Sequence, residues 1–122
     1  MIRPISPATV SWSNVARHVI FTIHIFIHTL AIRYSFDPAK QVGNVKKHGL
    51  DLADAPRVIE SGQTVTFEDR RFDYNEERFV TLGPLGDLLV AIVTAETETH
   101  IRIISMRKAD RYEQSIYREN IT

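Results

Sequence analysis

The residues with the clearest chemical capacity lie in one string, IRIISMRKADRY at 101–112. It places Arg102, Arg107, Lys108 and Arg111 where a strand passes into a helix. Cations fixed to rigid backbone at a sheet rim can meet a polyanion. Arginine suits this best, because its planar fork reaches two phosphate oxygens and stays charged. Alternation puts Ile101, Ile103 and Ser105 on one face of the strand, and Arg102 and Ile104 on the other. By the same rule Arg102 and Arg107 fall on opposite faces, so both serve one site only if the strand twists or ends before Arg107. Asp110 followed three residues later by Glu113 is a capping-box pattern, which predicts a helix from about Arg111.

Histidines offer a second kind of chemistry. His24 and His28 are four apart in the apolar stretch HVIFTIHIFIHTLAI at 18–32 and could share a metal on a helix. Neither a third ligand nor the Glu of a zinc-protease helix accompanies them, so no metal site is expected. A metal-dependent enzyme built on His18, His24 and His28 ranks below the other readings. The stretch falls short of the roughly 20 residues that a membrane-spanning helix needs. Arg3 and Arg17 ahead of it suggest a signal peptide, but no A-x-A-like site follows. An extra strand or helix laid on the domain is the expectation. His48 stands in the last turn of a helix that Gly49 ends, where cations suit the dipole; it is also an acid–base candidate.

Composition limits the options. Lys+Arg and Asp+Glu both number 15, so any nucleic-acid contact must rest on local clustering rather than net charge. The absence of cysteine excludes disulfide scaffolds, thiol nucleophiles and Cys-based zinc sites, and suits a reducing compartment. At 122 residues the chain can bury one core.

The elements that must position these groups can be read in order. Pro4, Pro7 and scattered Ser predict a poorly ordered start over 1–17. A strand is expected at 32–36. Asp37-Pro38 then opens a helix that runs to Gly49, and a shorter helix follows at 54–59 with Asp54 as its cap and Pro56 in its first turn. From Gly62 onward the pattern is a meander, with strands at 64–67, 78–82, 88–95 and 100–106. Residues 88–93 are apolar on both faces, which places them at the sheet centre. The segment 68–77, EDRRFDYNEE, is a charged loop. No repeat or linker divides the chain.

Four strings are more specific: FDPAK at 36–40, NVKKHG at 44–49, EDRRFDYNEERFVTLG at 68–83 and RIISMRKADRYEQSIY at 102–117. In this order and spacing they resemble the BrnT family of toxins over about residues 34–119. The resemblance implies an α+β, RelE-like fold with two N-terminal helices, a four-stranded antiparallel sheet and a C-terminal helix. It implies a ribonuclease that arrests growth and a BrnA-like antitoxin encoded beside it. Residues 1–31 have no counterpart in the family pattern, so they are expected to be an extension of a toxin domain at 32–122, disordered or produced by a misplaced start. Pro56 interrupts a segment that is usually one helix in the family, so the second helix should be short.

The implied chemistry is metal-free: the RNA 2′-hydroxyl attacks its own phosphate while the protein neutralises charge and moves protons. Arg78, Arg102 and Arg107 are the candidates for the phosphate. Glu77, His48 and Tyr112 are the candidates for proton transfer. Glu77 is either a base beside Arg78 or a solvated loop carboxylate, and Tyr112 either reaches the site or packs with Ile116. Lys108, Arg111, Arg70 and His48 would contact the RNA backbone, although Arg70 can pair instead with Glu68, Asp69 or Asp73. No cofactor is expected. The expected partners are RNA and the antitoxin, in the cytoplasm and away from membranes, with a toxin–antitoxin heterotetramer held on operator DNA through the antitoxin. The competing reading is a toxin-fold binding module that has lost catalysis and acts with its antitoxin as a DNA-bound autorepressor.

Overall fold

The computed structural model describes residues 3–5, 32–70 and 75–121, the first three by backbone alone. Its strands are β1 (Arg3–Ile5), β2 (Arg33–Ser35), β3 (Val65–Glu68), β4 (Arg78–Leu85), β5 (Leu88–Glu96) and β6 (His100–Lys108). Its helices are α1 (Pro38–His48), α2 (Ala55–Ile59) and α3 (Arg111–Asn120). One mixed sheet runs β1-β3-β4-β5-β6-β2.

β5 is central because both of its faces are apolar. Val90 and Ile92 join Leu52, Ala55, Val58, Ile101, Ile103 and Met106 in one buried cluster. Ala91 and Val93 join Val65, Phe67, Val80, Leu82, Ala109 and Ile116 in the other. The turn at Leu52–Asp54 and α2 cover the first face, with α1 against β6, and α3 covers the second. The expected α+β class is therefore found.

The sheet is larger than four antiparallel strands, and its edges account for the difference. β2 pairs in parallel with β6, with Ser35 opposite Arg102, and β1 pairs antiparallel with β3. Strands of three residues leave little period-2 pattern to read. β1 lies inside the segment expected to be poorly ordered. The apolar stretch up to residue 31, with His18, His24 and His28, lies outside the described residues, as do 71–74.

Helix ends follow their caps. Asp37 accepts from the Ala39 amide at 2.8 Å, and Gly49 closes α1 at φ 70 with its N–H on the Val45 carbonyl. α2 is short, as Pro56 implied, but Asp54 makes no side-chain cap bond. Asp51 does the capping one turn earlier, accepting from Ala53 at 2.8 Å to start the 3-10 turn.

β4 continues through Gly83 and Pro84 to Leu85, past the expected stop at residue 82. Pro84 is tolerated because β3 pairs no further than Leu82, so no β3 carbonyl waits for its missing N–H. A two-residue turn at Gly86, φ 60, then leads into β5.

In β6 the simple alternation fails. Val93 pairs with Ser105 and Thr94 with Ile103, so Ile104 is an extra residue. The bulge returns Arg107 to the face that carries Arg102: they sit opposite Ala91 and Ala95 respectively, two residues of β5 that share one face.

Gly83 marks the closest approach of α2 to the sheet. A Cβ there would lie 2.7 Å from Val58 Cγ1 and 3.0 Å from Thr64 Cγ2. Gly83→Ala should lower stability by about 1–3 kcal/mol through overpacking, read as a lower denaturant midpoint at unchanged slope.

Candidate functional site

Arg78 and Arg102 flank Ala95 from the two neighbouring strands, in one row across the sheet. Both lie on the α3 face, at the end away from α3's first turn. The loop carboxylate of Glu76 sits between them, hydrogen-bonded to the Arg102 guanidinium and 3.6 Å from Nη2 of Arg78. The Arg102 hydrogen bond, with the charges of Arg102 and Arg78, holds Glu76 below the usual carboxylate range. Ala95 between the two arginines leaves room above the row.

A cleft of about 150 Å³ opens beside this row, with Glu76, Glu77, Ala95, Glu96, His100 and Arg102 among its lining residues. It is smaller than the roughly 300–1,000 Å³ of pockets that engulf a ligand. It suits a group laid against the surface, such as one phosphate of a strand. Glu77 therefore lies at the arginine row. Three further residues stand at this row: His100, Ser35 and Glu76. His100 stands two residues before Arg102, hence on its face, with Nε2 2.6 Å from the Ser35 hydroxyl. The spacing to Arg102 was a usable signal for His100. Ser35 and Glu76 had none, since they arrive through the β2 edge pairing and the loop path.

The other proposed residues gather elsewhere. Arg107 lies four strand residues from the Arg102 row, roughly 13 Å at the usual strand rise. Its fork is bidentate on Glu113, Nη1 to Oε1 at 2.7 Å and Nη2 to Oε2 at 3.0 Å. Glu113 is 1% exposed, and its Oε1 also accepts from the Asp110 amide while the Asp110 carboxylate answers the Glu113 amide. So the capping box is realised, and Arg107 joins it to β6. Tyr112 is 59% exposed and does not pack in the core, against one of the two expectations for it. Tyr117 packs there instead, its hydroxyl donating to the Gln63 carbonyl at 2.8 Å.

Lys108 and Arg111 are exposed at the Arg107 end. His48 is near them at the end of α1. Burial, then the charges of Lys47 and Arg107, push its pKa down. Arg70 is bonded to Glu68, by Nε at 3.0 Å and Nη2 at 2.7 Å. The proposed residues thus form two clusters on the protein, Arg78–Arg102–Glu77 and Arg107–Tyr112–Lys108–Arg111–His48, with Arg70 held by Glu68 next to Asp69, whose amide bonds the Arg78 carbonyl. Among the described residues no three His, Asp or Glu converge as a metal site, and no helix is long and apolar enough to cross a membrane.

A protein-family model described as "Ribonuclease toxin, BrnT, of type II toxin-antitoxin system" matches residues 36–113. That span holds Glu76, Glu77, Arg78, His100, Arg102, Arg107 and Glu113. No curated protein matches the chain.

Two outcomes follow from the geometry. Arg107→Ala leaves the buried Glu113 carboxylate uncompensated and should cost about 3–5 kcal/mol of stability, measured by denaturant unfolding. Arg102→Ala should return Glu76 toward the ordinary carboxylate range, followed by carboxyl-resonance titration. The sign is that of a depressed acid: the pair's stabilisation is complete above the unfolded-state pKa and is lost as pH falls through the lower folded value. The variant should therefore lose less stability on acidification than the wild type.

Proposed function

The chain belongs to the BrnT family of ribonuclease toxins of type II toxin–antitoxin systems, and from this we propose that it cleaves RNA without a metal ion at the Arg78–Ala95–Arg102 row. The observation that carries the reading is Glu76. Two arginines from different strands converge on one carboxylate at a solvent-facing cleft, so the row is already shaped to hold an anion. A phosphodiester carries the same single charge and can take that seat, accepting the donors that Glu76 relinquishes.

With the phosphate so held, the RNA 2′-hydroxyl attacks phosphorus and the 5′-oxygen leaves, giving a 2′,3′-cyclic phosphate. Charge accumulates on the non-bridging oxygens in the transition state, where the two guanidinium groups stabilise it. One group must take the 2′-proton and another must protonate the leaving oxygen. Glu77 and His100 line the cleft and serve these two roles, with the Ser35 hydroxyl orienting the imidazole. Arg107 is a positioning residue that holds α3 on β6, and Tyr112 lies at that end too. Lys108 and Arg111 extend the positive surface available to the RNA backbone. The partner that neutralises the toxin in the cytoplasm is a BrnA-like antitoxin, and the pair forms a heterotetramer on operator DNA through the antitoxin.

Induced expression with an in-vitro RNA assay tests this. Arg78→Ala and Arg102→Ala should each lower cleavage by about 10²–10³-fold and relieve growth arrest with the fold intact. His100→Gln should lower the rate more than RNA affinity. A chelator should have no effect; loss of activity with chelator would overturn the metal-free reaction. Wild-type protein that causes no arrest and cuts no RNA would establish the binding-module reading instead.

A further inference from the structure

α1 carries its apolar side chains on the wrong side for the fold. Of its eleven residues only Asn44 is buried. The Asn44 amide donates to the carbonyls of Leu50 and Met106, both at 2.9 Å, and its oxygen accepts from the Met106 amide at 3.1 Å. Gln41 adds bonds to Asp51 and to the Leu52 amide. The helix is thus docked by polar bonds, while Val42 is 69% and Val45 46% exposed. Gly43 points the same way. A Cβ there would meet nothing within 4 Å, so packing within the chain does not require a residue that weakens a helix by about 1 kcal/mol.

The helical repeat aligns Ala39, Val42 and Lys46 opposite Asn44, with Gly43 and Val45 on the two shoulders. The helix has Lys40, Lys46 and Lys47 and no carboxylate. We propose that this face is the docking surface for an acidic segment of the antitoxin. Its apolar side chains would cover Val42 and Val45, its backbone would approach over Gly43, and its carboxylates would pair with Lys46 on this face and with Lys47, which projects from the flank beyond Gly43. The proposal rests on the toxin–antitoxin reading for the existence of the partner. Charge decides the occupant. Residues 1–31 contain no Asp or Glu, so this chain's own apolar stretch cannot answer the lysines. A second copy of the face would set lysine against lysine. An RNA backbone would answer the lysines and leave the valines unexplained.

The test co-expresses the full chain with the product of the reading frame that adjoins its own. Two double variants are compared, Val42→Asp with Val45→Asp, and Lys46→Glu with Lys47→Glu, each checked for folding by thermal melting. Each should bind that partner about tenfold or more weaker by calorimetry. The growth arrest caused by the chain alone should be unchanged, and its relief by the partner lost. Amine-reactive footprinting should find Lys46 open in the separate chain and shielded in the complex. Wild-type affinity in both double variants overturns the proposal, as does the absence of any complex with the wild-type chain. So does a Lys46 already shielded without partner, which means cover by this chain or a second copy. Weaker RNA cleavage by the lysine variant with antitoxin binding intact assigns the face to nucleic acid instead. A complex that depends on α1 while no RNA is cut leaves this inference standing and removes the nuclease one.

Discussion

β6 has one residue more than β5 can pair, and the placement of every charged group after it follows from that residue. A one-residue change of register turns all later side chains to the opposite face. With Ile104 bulged, Met106 enters the core beside Ile92, and Arg107 emerges on the α3 face, where Glu113 receives it. Without the bulge, Arg107 would enter the face packed by Leu52 and Val58. Burying a guanidinium there without a carboxylate would cost several kcal/mol. The hold of Arg107 on α3 and the presence of both arginines on one face are therefore one requirement met by one irregularity.

The same pairing decides which arginine can serve a substrate. Arg107 and Arg102 each bond a carboxylate, so charge alone does not tell them apart. Their partners do. Glu113 is 1% exposed and tied into the first turn of α3, and breaking such a pair costs about 3–5 kcal/mol. Glu76 is 41% exposed on a loop, where solvent screens the pair and leaves it weak. The second carboxylate is therefore the more loosely held of the two. Buried, bidentate hydrogen bonding fixes Arg107 to the first turn of α3.

How much of this was legible depends on whether a local rule governed the position. Caps are local, so Asp37, Gly49 and the Asp110–Glu113 box could be read from residue types and spacing, and they gave the helix ends. The double-sided apolarity of β5 is local too, and it placed the strand at the centre. The bulge is not local: no residue type in IRIISMRK announces it, and it arises from how β5 and β6 must both fill two cores. Parallel pairing of β2 is a long-range choice made by three residues. The site inherits these limits. Arg78, Arg102 and Glu77 sit on or beside regular strands, where alternation and spacing can be read. Ser35 and Glu76 reach the row by an edge pairing and a loop, which no local rule announces. Alternation set Arg107 on the face opposite Arg102, and the bulge returns it to the same one.

α1 is held on β6 by polar bonds rather than by an apolar seam. An apolar seam would bury Val42 and Val45 and leave a polar outer surface. Instead Asn44 holds the helix through the main chain of Met106, in the strand that presents Arg102 before it and Arg107 after it. Three hydrogen bonds to fixed backbone atoms set the helix as firmly as a small apolar contact would, since each is satisfied and largely removed from water. They also release the valines for the outside. α1 thus takes up the backbone groups of β6 beyond the end of β2, whose pairing stops at Arg102.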